Sequence, residues 1–128
     1  MKQYTVLIVD DDKFLLDMYR KKFERDGALV DVAASSEETL TKLRNGAKPD
    51  ILILDIIMPV MDGIELLEVI RKEKLVPNAV VVMLTNESNR KRIEEAKALG
   101  IKGYIVKATT IPTEVVGKIK EMANLKTE

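Results

Sequence analysis

Asp10-Asp11-Asp12, Asp55, Thr85 and Lys107 each stand where an apolar run of the chain stops. Tyr4-Thr5-Val6-Leu7-Ile8-Val9 leads into the acidic triplet, and Ile51-Leu52-Ile53-Leu54 leads into Asp55. If these runs are neighbouring parallel strands, carboxylates, a hydroxyl and an ammonium converge on the sheet edge where open α/β folds bind ligands. Two carboxylates about 4 Å apart repel by roughly 4 kcal/mol at an effective dielectric of about 20, so Asp10, Asp11 and Asp55 together need a counter-charge. A divalent cation supplies it. An all-oxygen set without His or Cys favours Mg2+, with Mn2+ as the other candidate. Lys107 and Thr85 then offer an ammonium and a hydroxyl to the oxygens of a bound anion.

Strand-like and helix-like segments alternate five times to position these groups. A strand over Tyr4 to Asp10 gives way to a helix over Asp12 to Asp26, where Phe14, Leu15, Met18, Tyr19 and Phe23 recur at helical spacing and Gly27 is the stop. Ala28 to Ala33 reads as a second strand. Ser35-Ser36-Glu37-Glu38 is a capping signal for a helix over Glu37 to Arg44 that ends near Gly46. Asp50 to Asp55, with its uninterrupted Ile-Leu-Ile-Leu core, suits a central parallel strand covered on both faces. Asp62 caps a helix running to Lys74. Ala79 to Leu84 is the fourth strand, Glu87 to Leu99 the fourth helix with Gly100 as stop, and Gly103 to Val106 the fifth strand. The last helix spans Pro112 to Asn124, with Val115, Val116, Ile119 and Met122 on one face and Gly117 costing about 1 kcal/mol in its interior. Five such units predict a single three-layer α/β domain over residues 1–128 with right-handed crossovers. Adjacent strands lie about 4.8 Å apart, which leaves Lys107 roughly 10 Å from Asp55, a gap a lysine side chain can largely bridge.

Composition narrows the function further. Lys plus Arg and Asp plus Glu balance at 21 each, with no broad basic footprint, so a direct nucleic-acid partner is not expected. The apolar runs are too short to span a bilayer or to serve as a signal peptide, and a cytoplasmic protein is the default expectation. Zero Cys removes disulfides and thiolate metal sites. Zero His removes Ser-His-Asp chemistry, His-ligated metals and any phosphohistidine carried by this chain. Taken singly, the residues have plainer roles. Asp10 to Asp12 read as a helix cap or a solvated acidic turn, with Asp12 mainly a cap, Asp55 as a loop residue, Lys107 as solvated surface, Thr85 as a strand residue or a cap, and Tyr104 as a half-buried packing residue. The run Arg90-Lys91-Arg92 reads as a solvated helix face, with partner recognition as the sharper alternative.

The chain resembles the receiver domains of two-component response regulators, chemotaxis regulators among them, over nearly its whole length. The resemblance rests on Leu7-Ile8-Val9-Asp10-Asp11-Asp12, on Asp55 followed by Met58-Pro59-Val60-Met61-Asp62-Gly63, on Leu84-Thr85 and on Gly103-Tyr104-Ile105-Val106-Lys107. It implies a doubly wound, five-stranded parallel sheet in the order 2-1-3-4-5 flanked by five helices. It also implies a Mg2+ ion held by Asp10, Asp11, Asp55 and the backbone carbonyl of Ile57. Asp55 would be the phosphoacceptor, taking a phosphoryl group from a histidine kinase or phosphotransfer protein. Lys107 and Thr85 would contact the phosphoryl oxygens, and Thr85 and Tyr104 would act as the switch. The face of helix four, strand five and helix five would change for an unknown downstream protein, with the regulator a monomer or a phosphorylation-dependent dimer. Only Leu125-Lys126-Thr127-Glu128 follow the last helix, so no output domain is expected.

Three positions depart from the family pattern. Ala108 follows Lys107 where Pro is usual, and a non-prolyl cis bond there would cost about 3 kcal/mol. Asn86 follows Thr85 where a small residue is usual. Ile57, two residues after Asp55, is apolar and cannot hydrogen-bond an attacking water, which predicts slow loss of the phosphoryl group. A Mg2+-dependent phosphohydrolase of haloacid-dehalogenase type is the rival from another class. Its nucleophile and acid lie two apart and are followed by Gly-Thr or similar, whereas Lys13-Phe14 follows the acidic triplet here and there is no room for a cap domain. A phosphorylation-dead scaffold of the same fold is the third reading, against which Asp55, Thr85 and Lys107 are all present.

Overall fold

A computed structural model describes residues 3–125, so the tail from Lys126 to Glu128 lies outside the described residues. The elements run β1 (Thr5–Val9), α1 (Lys13–Arg25), β2 (Leu29–Ala33), α2 (Ser36–Arg44), β3 (Ile51–Leu54), α3 (Gly63–Lys72), β4 (Val80–Thr85), α4 (Arg90–Ala98), β5 (Gly103–Val106) and α5 (Pro112–Met122), with a 3-10 turn at Lys107–Thr109. All strand pairs are parallel. The order β2-β1-β3-β4-β5 is the one the resemblance implies.

Every residue of β3 is buried, because this strand is covered on both faces. One face carries Leu7, Val9, Leu52, Leu54, Val81 and Met83 against α2 and α3 residues such as Leu40 and Ile64. The other carries Val6, Ile8, Ile53 and Leu84 against Phe23 of α1 and Ile119 of α5. Each such aliphatic side chain contributes roughly 1.5–3 kcal/mol by leaving water. Two parallel helix layers thus clamp the sheet and hold its strand ends in register.

Local signals act as the sequence reading expects at most boundaries. Asp12 caps α1 by accepting from the amides of Phe14 and Leu15 at 3.0 and 3.1 Å. Asp62 caps α3 in a reciprocal capping box with Glu65. Gly27, at φ 96°, ends α1. Two expectations change. α4 begins at Arg90 rather than Glu87, because Asn89 takes the cap position and accepts from Lys91 and Arg92. Phe14 is 79% exposed, whereas Leu16, Tyr19 and Phe23 supply the inward face of α1. Helical spacing alone does not say which edge of the apolar stripe meets the sheet.

Candidate functional site

Register brings the polar strand ends together. Val9 pairs with Leu54, Leu54 with Met83, and Thr85 with Val106, so Asp10, Asp55, Thr85 and Lys107 sit on one edge of the sheet. Asp10 and Asp55 still belong to the ladder at their amides, which bond to Ala33 and Val9 carbonyls at 3.2 and 3.1 Å. Their backbones are therefore fixed by the sheet rather than by a loop.

Asp10 is 2% and Asp55 5% exposed, while Asp11 lies on the rim. Carboxylate oxygens of all three fall within 4.8 Å of one another. Lys107 closes the cluster: its Nζ lies 2.5 Å from Asp10 Oδ2 and 2.8 Å from Asp55 Oδ2. The lysine crosses the whole gap and reaches one strand beyond Asp55, to the end of β1. Burial pushes the Asp10 carboxyl above its ordinary range, with Lys107 and the Asp12 amide only partly opposing it. Burial pulls the other way on Lys107, lowering its pKa, but hydrogen bonds to Asp10 and Asp55 more than offset this and the ammonium is held above its usual value.

Three carboxylates against one ammonium leave two negative charges in excess, which a divalent cation neutralises. The donor set is all oxygen, partly solvent-facing through Asp11, and matches the water-rich shell of Mg2+. These residues fit such an ion.

The remaining groups surround Asp55. The Ile57 amide donates to Asp55 Oδ1 at 3.1 Å, and Ile57 is 52% exposed. Thr85 is fully buried, and its Oγ1 accepts from the Ile56 amide at 3.3 Å and the Glu87 amide at 3.2 Å. Tyr104 is half-buried and its hydroxyl donates to the Glu87 carbonyl. One residue of the β4–α4 loop therefore links Thr85 to Tyr104, through the amide of one peptide unit and the carbonyl of the next. The sequence marks Glu87 only as the start of the fourth helix, because its contacts to Thr85 and Tyr104 both use main-chain atoms.

Gly63, which ends the segment after Asp55 that carries the family resemblance, also has a packing role that the sequence does not show. A Cβ there would overlap the Asp55 carbonyl oxygen and approach Ile56 Cα to 2.9 Å, and the Gly63 amide donates to the Ile56 carbonyl at 2.9 Å. The α3 N-terminus is packed directly on the backbone that presents Asp55. Arg92 departs from the solvated-face reading: it is half-buried and bonds to Asp62, the α3 cap, and to Glu95 at 2.8 Å. Arg90 and Lys91 are exposed as expected. The Lys107–Ala108 peptide is trans. The Ala108 amide donates to Asn86 Oδ1 at 2.8 Å, so two of the positions that depart from the family pattern touch each other.

Residues 6–119 match the family described as the response regulator receiver domain. Among curated proteins, the chain is 32% identical to the alkaline phosphatase synthesis transcriptional regulatory protein PhoP of Bacillus subtilis, over 90% of this chain and 46% of that protein. It is 31% identical to the chemotaxis protein CheY of Pseudomonas aeruginosa, over 93% of this chain and 98% of that one. The chain spans about half the length of curated relatives such as PhoP. A CheY-like receiver domain protein of Methanospirillum hungatei superposes with a TM-score of 0.86 at 32% identity, covering 96% of this chain and 95% of that one.

Proposed function

The chain belongs to the response regulator receiver domain family, and from that membership we propose that Asp55 accepts a phosphoryl group from a phosphohistidine on a histidine kinase or phosphotransfer protein. The observation that carries this reading is the single ammonium of Lys107 shared between two buried carboxylates, Asp10 and Asp55.

An Asp55 carboxylate oxygen attacks phosphorus, the P–N bond to the imidazole breaks, and its electron pair stays on the imidazole nitrogen. The product is an acyl phosphate on Asp55. Asp10, Asp11, Asp55 and the Ile57 carbonyl would hold Mg2+, or Mn2+, which when bound offsets the negative charge of the transferred oxygens. Lys107 exchanges its contact with Asp55 Oδ2 for a phosphoryl oxygen and keeps its contact with Asp10. The Thr85 hydroxyl donates to another phosphoryl oxygen, a contact that exists only when phosphate is present. Movement of Thr85 disturbs the Glu87 amide it holds, and Tyr104 follows because it is bonded to the carbonyl of the same residue. The surface of α4, β5 and α5 then changes for a downstream protein. The chain acts as a signalling domain rather than a turnover enzyme.

Intact mass after incubation with acetyl phosphate and Mg2+ tests the assignment. The native chain is expected to gain one phosphate's mass and Asp55→Asn none. Sustained hydrolysis of a small phosphate ester would favour the phosphohydrolase instead, and failure to take up phosphate would favour the inert scaffold.

A further inference from the structure

Asn86 and Ala108 lie on different loops, one after β4 and one after β5, and the Ala108 amide donates to Asn86 Oδ1 at 2.8 Å. Asn86 follows Thr85 and Ala108 follows Lys107. A single side-chain bond therefore ties together the neighbours of the two residues that would contact a phosphoryl group.

The Lys107 backbone has little other support. β5 ends at Val106, which pairs with Thr85, and the chain then enters the 3-10 turn. The bond closing that turn, from the Thr110 amide to the Lys107 carbonyl, is long at 3.5 Å. Yet the Lys107 Nζ must meet two buried carboxylates at 2.5 and 2.8 Å. A lysine stem has four rotatable bonds, so its aim depends on a fixed backbone. Asn86 and Ala108 are both exposed, so water could satisfy each of them. The bond is not required to rescue a buried polar group; its distinctive effect is to fix the peptide next to Lys107.

We infer that Asn86 is a positioning residue for Lys107: its Oδ1 pins the Ala108 amide to the end of β4 and so aims the ammonium at Asp10 and Asp55. The pairing needs both residue types, because Asn86 supplies the acceptor and Ala108, having an N–H that proline lacks, supplies the donor. It also makes Lys107 follow the strand end that carries Thr85. The consequence for phosphoryl transfer rests on the phosphoacceptor reading above, whereas the aim of the lysine can be measured without it.

The test combines Asn86→Ala, Ala108→Pro and the double variant. NMR of 15N-labelled protein follows the Ala108 amide and the Lys107 ammonium, and intact mass follows phosphorylation by acetyl phosphate with Mg2+. Asn86→Ala is expected to speed exchange of the Ala108 amide, shift the Lys107 ammonium signal and slow phosphorylation about tenfold, with an unchanged melting temperature. Once Ala108→Pro has removed the donor, Asn86→Ala is expected to have no further effect on the rate. Strictly additive effects of the two substitutions, or an unchanged Lys107 signal and rate in Asn86→Ala, would overturn the inference. A native chain that takes up no phosphate would instead overturn the phosphoacceptor reading, and the Lys107 and Ala108 signals would then decide the role of Asn86.

Discussion

Ile57, two residues after Asp55, is apolar and half-exposed, and its amide is bonded to the Asp55 carboxylate. Such a side chain has no polar atom with which to orient a water for attack on the acyl phosphate proposed at Asp55. Ile57→Asn is therefore expected to speed dephosphorylation by about tenfold, as judged from the gain available when a nucleophile is properly oriented. Decay of the phosphorylated mass in time checks this, and an unchanged decay rate removes the explanation. Gly63 constrains the site from below. Gly63→Ala would drive a methyl group into the Asp55 backbone. Overpacking of this kind costs about 1–3 kcal/mol, and urea unfolding should show the loss together with slower phosphorylation. The acidic and basic members of this site were legible as residue types after apolar runs. The tightness around Gly63 was not, because the clash partner lies on the preceding strand end rather than in the helix that Gly63 starts.

At the scale of elements, α5 carries a removable weakness. Gly117 lies in its interior, has an ordinary helical backbone, and an added Cβ would find nothing within 4 Å. Gly117→Ala is expected to stabilise the fold by about 1 kcal/mol, read as a higher urea midpoint with an unchanged slope. A loss of stability would mean that the groove lined by Lys22 and Arg25 of α1 and by Gly117 of α5 needs the space. α4 shows the opposite case. Its basic first turn reads as solvated from sequence, yet Arg92 pairs with Asp62, thirty positions away, so α4 is tied to the cap of α3. Periodicity could not reveal a partner on another helix. Phe14 illustrates the same limit, because an apolar residue in a helical pattern can fall on the open side of the stripe.

The whole molecule is held at its far end by a second charged cluster. The Tyr4 hydroxyl donates to Asp26 Oδ2 at 2.6 Å, and Lys120 Nζ lies 2.8 Å from the same oxygen and 5.7 Å from the Tyr4 ring centre. The residue just before β1, the end of α1 and the body of α5 are thereby joined. Burial alone would raise the Asp26 carboxyl, but hydrogen bonds from Lys120 and Tyr4 outweigh it and hold the pKa below the ordinary value. A lowered carboxylate pKa contributes stability that is complete above the unfolded pKa and is lost as pH falls through the lower folded one. Urea unfolding from neutral to acid pH should therefore show the native chain losing more stability below the ordinary carboxylate range than Asp26→Asn does. Equal acid slopes for the two proteins would remove this tie as a source of pH dependence. In the described residues no helix is long and apolar enough to cross a membrane.

The order of elements, the parallel sheet and the strand-end placement of Asp10, Asp55, Thr85 and Lys107 follow from the sequence by itself. They depend on local information: apolar runs of strand length, caps such as Asp12 and Asp62, and stops such as Gly27. Tertiary structure alone decided that Lys107 spans to both Asp10 and Asp55, that Glu87 links Thr85 to Tyr104, and that Asn86 holds the Ala108 amide. Each of these is a meeting of side chain or peptide atoms from different strand ends. Such a meeting depends on sheet register and on the exact path of loops, which no residue pattern within one element records.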